Sequence, residues 1–430
     1  MDNNQISNNH SLLDNVVTTR LGDESLLSNQ MLSSTNSTFS DKQVAPHNCV
    51  ASYPLLQNVT ESSASVVWAL NTPATGWIEW GTTPSLGKIS RNSEFGLNPY
   101  ETDFLSARLK GLTPNTRYYY RTVTCTFDYK TAYDKTLSSP QFSDIYSFET
   151  LGINYDKVSF AVMNDTHNNL TTIQAHLKKV EELNPDFLFW NGDLCSDYMN
   201  VDRVKTCIAN PNNKPFASEH PLIFVPGNHD RRGKWVRNLK KCLTTWEQND
   251  TKFSELGYNY AFRKGAVAFV VLDTGEDKPD WHPAWSGMAN YQPYRELQTI
   301  WLDNILSSRE IQSAPFIIAF CHIPLHDSDP NANPGNILDG WASFQWSTRQ
   351  MWGPIFDKHR VQLLITAHQH YFNYAEPDSE RTWAQIIGGG PEIKNACNIY
   401  GEATQKELQL TCRMLRDDTL LGAWTYKPRF

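Results

Sequence analysis

Nine residues of the types that hold metal ions or move protons stand at or just past the ends of apolar runs: Asp165, His167, Asp193, Asn228, His229, Asp230, His322, His368 and His370. Val158-Ser-Phe-Ala-Val-Met163 runs into Asn164-Asp165-Thr166-His167, and Phe187-Leu-Phe-Trp190 into Asn191-Gly192-Asp193. Pro221-Leu-Ile-Phe-Val-Pro-Gly227 delivers Asn228-His229-Asp230, Phe316-Ile-Ile-Ala-Phe320 delivers Cys321-His322, and Val361-Gln-Leu-Leu-Ile365 delivers Thr366-Ala367-His368-Gln369-His370. Asp, His and Asn donors without a Cys-x-x-Cys pair suit a borderline or fairly hard ion such as Mn, Fe or Zn. Seven such side chains exceed the roughly three or four protein ligands of one open catalytic ion. Two ions sharing a carboxylate account for the excess. Paired ions about 3.5–4 Å apart clamp the attacking and leaving oxygens of phosphoryl transfer and lower the pKa of a bound water.

The elements that must position these donors follow from the same runs. Short, β-branched and aromatic, they fit strands buried on both faces of an α/β sheet, where ligands gather beyond the carboxyl ends. Leu170, Ile173, Leu177 and Val180 fall near helical spacing, which predicts a helix over 170–183 ended by Pro185; Leu297, Ile300, Trp301 and Ile305 predict another over 294–306. Tyr258 to Asp273 reads as a hairpin turning at Arg263-Lys264-Gly265. Strands alternating with helices, plus a few hairpins, imply an α/β (α+β layered) domain over 155–430. Before it, from Pro46 to Leu151, short alternating runs split by turns predict an all-β antiparallel sandwich over 45–152, with the border near residues 151–156. Residues 1–44, rich in Asn, Ser, Thr and Asp, cannot offset the entropy of ordering and read as a tail.

A chain of 430 residues fits two domains and a tail, and 40% apolar residues suffice for their cores. The net charge of −8 argues against a long nucleic acid as partner, because phosphate backbones are held by basic surfaces. No apolar run is long enough for a membrane span, and no apolar segment follows a basic start as in a secretory signal. A soluble protein is therefore expected, cytoplasmic by default, with secretion as the alternative. The even count of eight cysteines permits disulfides without choosing among pairings. Cys195 and Cys321, beside the polar cluster, read as packing residues.

The five motifs, in this order, make residues 155–430 resemble a calcineurin-like metallophosphoesterase. The resemblance implies that Asp165, His167 and His370 hold a first ion, that Asp193 bridges, and that Asn228, His322 and His368 hold a second. It implies that His229 lies near the leaving oxygen with Asp230 orienting its ring. The preceding segment resembles a fibronectin type III (immunoglobulin-like) domain, in which Leu112-Thr-Pro-Asn-Thr-Arg-Tyr118 looks like the corner that buries a tyrosine. Together the two look like a purple acid phosphatase in architecture, with two departures. His167 stands where those enzymes have Gly, and Ser196 stands where they have the tyrosinate that gives them their colour. Ala367 also replaces a Gly usual before the paired histidines.

The expected function is hydrolysis of a small phosphate ester by a dinuclear centre and a hydroxide bound to it, foremost as a phosphomonoesterase of acid phosphatase type. A phosphodiesterase or nucleotide hydrolase is the alternative among enzymes; a binding or adhesion protein that works through the sandwich is the alternative of another class. A histidine at a strand end is often only a capping or core group, but five of the twelve histidines fall in the motifs. Asp197 and His326 match no ligand position, and His176 and His359 fall in helical stretches and need no role. The polar loop from His326 to Met351, with Trp341, Trp346 and Trp352, either walls the substrate pocket opposite Trp281 and Trp285 or packs those tryptophans beneath a surface loop.

Overall fold

Strict alternation within each motif strand decides the architecture. Phe160 and Val162, Phe187 and Phe189, and Ile223 and Val225 point into one apolar cluster, while Ala161 and Met163, Leu188 and Trp190, and Leu222 and Phe224 point into another. A strand with both faces buried must be apolar throughout, which is why the runs are unbroken. In the computed structural model, which describes residues 49–326 and 340–430, strands Lys157–Asn164, Phe187–Asn191 and Leu222–Val225 lie side by side and parallel. Strands Phe316–Phe320 and Leu363–Thr366 are likewise parallel neighbours in a second, six-stranded sheet between Val267–Val271 and Ala384–Ile387. The two sheets pack through a shared aromatic cluster in which Phe189 stacks on Phe320 at 4.1 Å between ring centroids. Helix Leu170–Leu183 covers the outer face of the first sheet through Ile173, Leu177 and Val180. Helices Tyr291–Leu306 and Gly340–His359 cover the second sheet through Trp301, Leu302, Trp352 and Phe356. Each fully buried side chain of this kind contributes about 1.5–3 kcal/mol.

The first sheet does not stop at the α/β region. Strand Leu55–Gln57 pairs with Leu222–Val225 at Gln57 and Leu222, and strands Ser63–Ala69 and Phe104–Lys110 continue the sheet outward to nine strands. The other strands of the N-terminal region, chiefly Ala74–Gly81 and Arg117–Tyr129, form a third sheet. Trp68, fully buried, donates to Thr124 Oγ1 at 2.9 Å and joins these two sheets. The described residues form one compact unit. Tyr118 is buried, and its hydroxyl accepts from Thr113 N at 2.9 Å, fixing the turn before it.

Helix ends differ slightly from expectation. The first helix is closed by Asn184 in the left-handed conformation (φ 46°) ahead of Pro185. The second begins at Tyr291, because the Asp280 carboxylate accepts from the amides of Tyr291 and Gln292. The larger correction concerns the stretch after His326. Residues 327–339 lie outside the described residues, as does the expected tail, but 340–351 is not loop: it belongs to helix Gly340–His359. Trp352 is fully buried there and donates to Thr299 Oγ1 at 3.1 Å, so it is a core residue. Trp281, by contrast, is 60% exposed. Among the described residues no helix is long and apolar enough to cross a membrane.

His176, on the inner side of helix Leu170–Leu183, is 1% exposed, and burial pulls its pKa down to about 3. The unfolded chain takes up its proton near pH 6.5 and the folded chain does not, so this stability is present above pH 6.5 and lost as pH falls toward 3. Between pH 7.5 and 5 the loss is about 2 kcal/mol. In His176→Leu the stability difference between those pH values, from urea titrations, shrinks by that amount; an unchanged difference would show that His176 is not buried neutral.

Candidate metal centre

At the carboxyl ends of three of the five strands, Lys157–Asn164, Phe187–Asn191 and Leu363–Thr366, the chain turns so tightly that ordinary residues adopt the left-handed conformation. Asp165, His167, Asp193, His368 and His370 all have φ between 43° and 72°. Non-glycine residues rarely adopt it, and such strain clusters at functional sites. Bonds from backbone amides lock the turns together: Asp165 N donates to Gly192 O at 3.1 Å, His167 N to Asp193 O at 2.9 Å, and His368 N to the Asp165 carboxylate Oδ2 at 2.9 Å. Gly192 (φ 78°) and Gly227 admit no Cβ, because it would collide with the His322 ring and with Asp193 respectively. The glycines let the two loops close on the site.

The side chains so placed converge in two groups that share Asp193. In one, Asp165, His167, Asp193 and His370 each offer a ligand atom within 4.8 Å of the others; in the second, Asp193, His322 and His368 do. His322 Nε2 lies 3.2 Å from Asp193 Oδ2 and 3.7 Å from Asp165 Oδ1, and Asn228 Oδ1 lies 2.9 Å from His368 Nδ1. His167 Nε2 and His370 Nε2 approach to 3.1 Å. All seven residues expected as ligands are therefore brought together. Asp165, Asp193, Asn228 and His322 are at most 1% exposed. The carbonyl of Asn191 can only accept, so at 3.0 Å it fixes the proton on His322 Nδ1 and turns Nε2 toward the carboxylates. That buried Nε2 has no hydrogen-bond partner of good geometry.

Electrostatics divide the imidazoles. Burial pulls His167 to about 4, against the carboxylates of Asp193 and Asp165, and with nearby His322 it pulls His368 to about 4. Burial opposes charge on His322 too, but Asp193 and Asp165 outweigh it and push the pKa up to about 10. The hydrogen bond to Asp165 raises His370. Burial alone would raise Asp193; the rings of His322, His229 and His167 instead hold it far below the usual carboxylate range. Buried oxygens and ring nitrogens facing one another are, once the rings release their protons, the donor set of a borderline divalent or trivalent ion, and the residues fit one.

Asp230 does not orient the ring of His229. Its carboxylate, fully buried, accepts from Gly227 N at 2.8 Å, Asp193 N at 2.9 Å and the Tyr198 hydroxyl at 2.5 Å. It thus clamps the two glycine loops beneath the site, and burial lifts its pKa to about 6. The cause is local: His229–Arg231 is a 3₁₀ turn, in which successive side chains diverge by about 120°. The His229 ring is held instead by Ser196 O, 2.7 Å from Nδ1, and Arg232 Nη1, 2.8 Å from Nε2. A carbonyl only accepts and a guanidinium only donates. The ring therefore carries its proton on Nδ1 and presents a lone pair at Nε2.

Arg232 is in turn aligned by Glu276, which accepts from Nε at 2.7 Å and from Nη2 at 2.9 Å. Burial raises the Glu276 pKa to about 7 despite the guanidinium. Neither residue was expected. The signal was available, because Val267–Val271 is a sixth apolar run that ends in carboxylates, at Asp273, Glu276 and Asp277. Cys195 and Cys321 are buried among apolar neighbours. Asp197 pairs with Arg203, and His359 lies 2.6 Å from Asp303, all away from the donor groups.

Fold and donor set together define a two-sheet phosphoesterase. The calcineurin-like phosphoesterase family matches residues 158–372, half of the chain, and the chain belongs to that family. An uncharacterized protein of Mycobacterium tuberculosis (strain H37Rv) is 26% identical over 202 residues, 46% of this chain and 36% of that protein. Probable purple acid phosphatase 20 of Arabidopsis thaliana is 22% identical over 265 residues, 61% of this chain and 53% of its own. The chain thus spans about a third to a half of these relatives' lengths. Among solved structures, a purple acid phosphatase from yellow lupin (Lupinus luteus) seeds superposes with a TM-score of 0.62 at 16% identity, over 87% of this chain and 74% of that one. PhoD superposes with a TM-score of 0.60 at 14% identity, over 91% and 90%. At these identities the likeness is one of fold.

Proposed function

We propose that this chain hydrolyses small phosphate esters, foremost monoesters, with two metal ions held by the converged donors. One observation carries the reading: two ligand groups, Asp165/His167/His370 and Asn228/His322/His368, meet at the single buried carboxylate of Asp193. Bound there, two such ions supply positive charge for the phosphoryl oxygens and acidify a water. The chain's own part is to hold the ligands rigidly on strained turns, to place the His229 ring and the Arg232 guanidinium at the rim, and to keep Asp193 ionised. The likeness to purple acid phosphatases supports the monoester preference, and buried Tyr118 with its bond to Thr113 supports reading 45–152 as a fibronectin-like accessory domain beside a catalytic domain over 155–430. The decisive experiment measures metal content and compares turnover of 4-nitrophenyl phosphate with that of bis(4-nitrophenyl) phosphate on one preparation. Two ions per chain with faster monoester cleavage is the expected result; faster diester cleavage overturns the monoester assignment, and metal-free, inactive protein overturns the enzyme.

A colour prediction follows from the site. Purple iron sites need a tyrosinate ligand, and Ser196 offers no phenolate. Tyr198 cannot substitute, since it is fully buried with its hydroxyl on Asp230, and burial raises its pKa well above normal. Iron-loaded protein is therefore expected to lack an intense visible band. An intense band that vanishes in Tyr198→Phe would contradict this placement.

A further inference from the structure

In a chain of net charge −8, residues 231–241 (Arg-Arg-Gly-Lys-Trp-Val-Arg-Asn-Leu-Lys-Lys) hold six basic residues and no acidic one. The stretch begins at Arg231 and Arg232, beside His229, and ends against Glu101, just before strand Phe104–Lys110. Tyr198 N donates to Arg232 O, and Trp235 N to Tyr198 O, which ties its start to the loop beneath Asp230. Its far end is pinned where Lys241 meets Glu101 at 2.9 Å and Trp235 packs on Phe104. Between these anchors Val236–Lys241 forms a 3₁₀ helix with Leu239 buried beneath it.

The basic residues fall into two sets. Arg231 and Arg232 pair with the buried carboxylates of Asp273 and Glu276, and Lys241 pairs with Glu101. Lys234, Arg237 and Lys240 are exposed, and among the described residues none of them lies in an ion pair. Arg237 and Lys240, three apart within the 3₁₀ helix, stack on one face about 6 Å apart along the axis, and Lys234 stands in the turn just before it. Like charges stacked in this way repel one another, and no intramolecular partner offsets the repulsion. Such an array gains most from an external anion.

We propose that Lys234, Arg237 and Lys240 form a cationic track that binds the anionic groups of a phosphate ester beyond the one cleaved, so that the preferred substrates are small polyanions carrying further phosphates. The track lengthens the site outward from His229 and Arg232. It adds affinity rather than chemistry. It rests on the phosphoesterase reading, so binding is measured apart from turnover.

The test uses the full-length, metal-loaded chain and the triple variant Lys234→Ala/Arg237→Ala/Lys240→Ala, whose exposed changes leave the core untouched. Calorimetric titration reads the affinity for inorganic tripolyphosphate and for orthophosphate; turnover of 4-nitrophenyl phosphate is the control. Three exposed charge contacts of the usual strength are expected to make wild type bind tripolyphosphate about 10-fold more tightly than the variant at low salt. The ratio should fall toward unity in about 0.5 M salt, where charges are screened over a few ångströms. Orthophosphate affinity and nitrophenyl phosphate turnover should match in both proteins, and the charge-preserving variant Lys234→Arg/Arg237→Lys/Lys240→Arg should bind tripolyphosphate as wild type does. Equal tripolyphosphate affinity in wild type and triple alanine variant overturns the track. So does a variant that loses only its binding to phosphatidylserine vesicles, which assigns the charges to a membrane surface. A 10-fold difference in binding without turnover in either protein upholds the track as a polyanion site and overturns the phosphoesterase reading alone.

Discussion

Asp193→Ala abolishes turnover and empties both metal sites, because the one carboxylate common to the two donor groups cannot be lost from one of them alone. Its Oδ2 lies 3.4 Å from His167 Nε2 and 3.2 Å from His322 Nε2, and its Oδ1 accepts from His229 N at 2.8 Å. The residue therefore touches both donor groups and the backbone of the proposed rim residue. Lost metal charge removes several kcal/mol of transition-state stabilisation, a fall of about 10³-fold or more. Removing a buried charge also takes away the nearer of the two carboxylates facing His322 and leaves Asp165 at 3.7 Å, at a cost of up to about 3–5 kcal/mol of stability, so folding must be monitored. Asp193→Asn keeps the volume and an acceptor for His229 N while removing the charge, and it should lose the metals with the fold intact. Elemental analysis that finds two ions per chain in either folded variant sinks the bridging role.

What could be seen beforehand, and what could not, divides along a physical line. The five motif strands were legible because burial on both faces forces unbroken apolar runs such as Phe187-Leu-Phe-Trp190, and chemistry sits where such runs end. The seven converging donors were legible for the same reason, since each stands within a few residues of a strand end. Glu276 is not, because its strand Val267–Val271 shows in the sequence only as half of a hairpin. The part of helix Gly340–His359 before Trp352 is hidden by Pro354 in the helix interior, although Phe344, Thr348, Trp352 and Phe356 recur at every fourth position and are all buried. The partner of Asp230 is not legible in the sequence, because adjacency in sequence is not adjacency of side chains in a 3₁₀ turn. The continuity of the nine-stranded sheet into the N-terminal region rests on a single parallel register, Gln57 with Leu222, which no local pattern announces.

His229→Ala should keep both metals and still lose activity, with the loss set by the leaving group. The ring contributes to neither donor group; it meets His167 edge-on at 4.6 Å and is held from behind by Ser196 O. The backbone amide that bonds Asp193 survives the substitution. Loss of proton transfer or charge stabilisation at the leaving oxygen typically costs about 10²–10⁴-fold. Nitrophenolate departs without help, whereas an alkoxide does not. The variant should therefore retain part of its rate on 4-nitrophenyl phosphate and lose far more on an alkyl phosphate. Arg232→Ala is the companion, because it removes the guanidinium from Nε2 and leaves the Ser196 bond in place. With a lone pair at Nε2 the ring serves as an acid only once Nε2 takes up a proton in place of the Arg232 bond; if it does so, Arg232→Ala falls less than His229→Ala on the alkyl ester. An equal fall in the two variants transfers the role to the guanidinium held by Glu276. Equal losses on both esters in His229→Ala, with metals retained, make the ring a positioning group for the phosphate, and loss of an ion makes it a ligand.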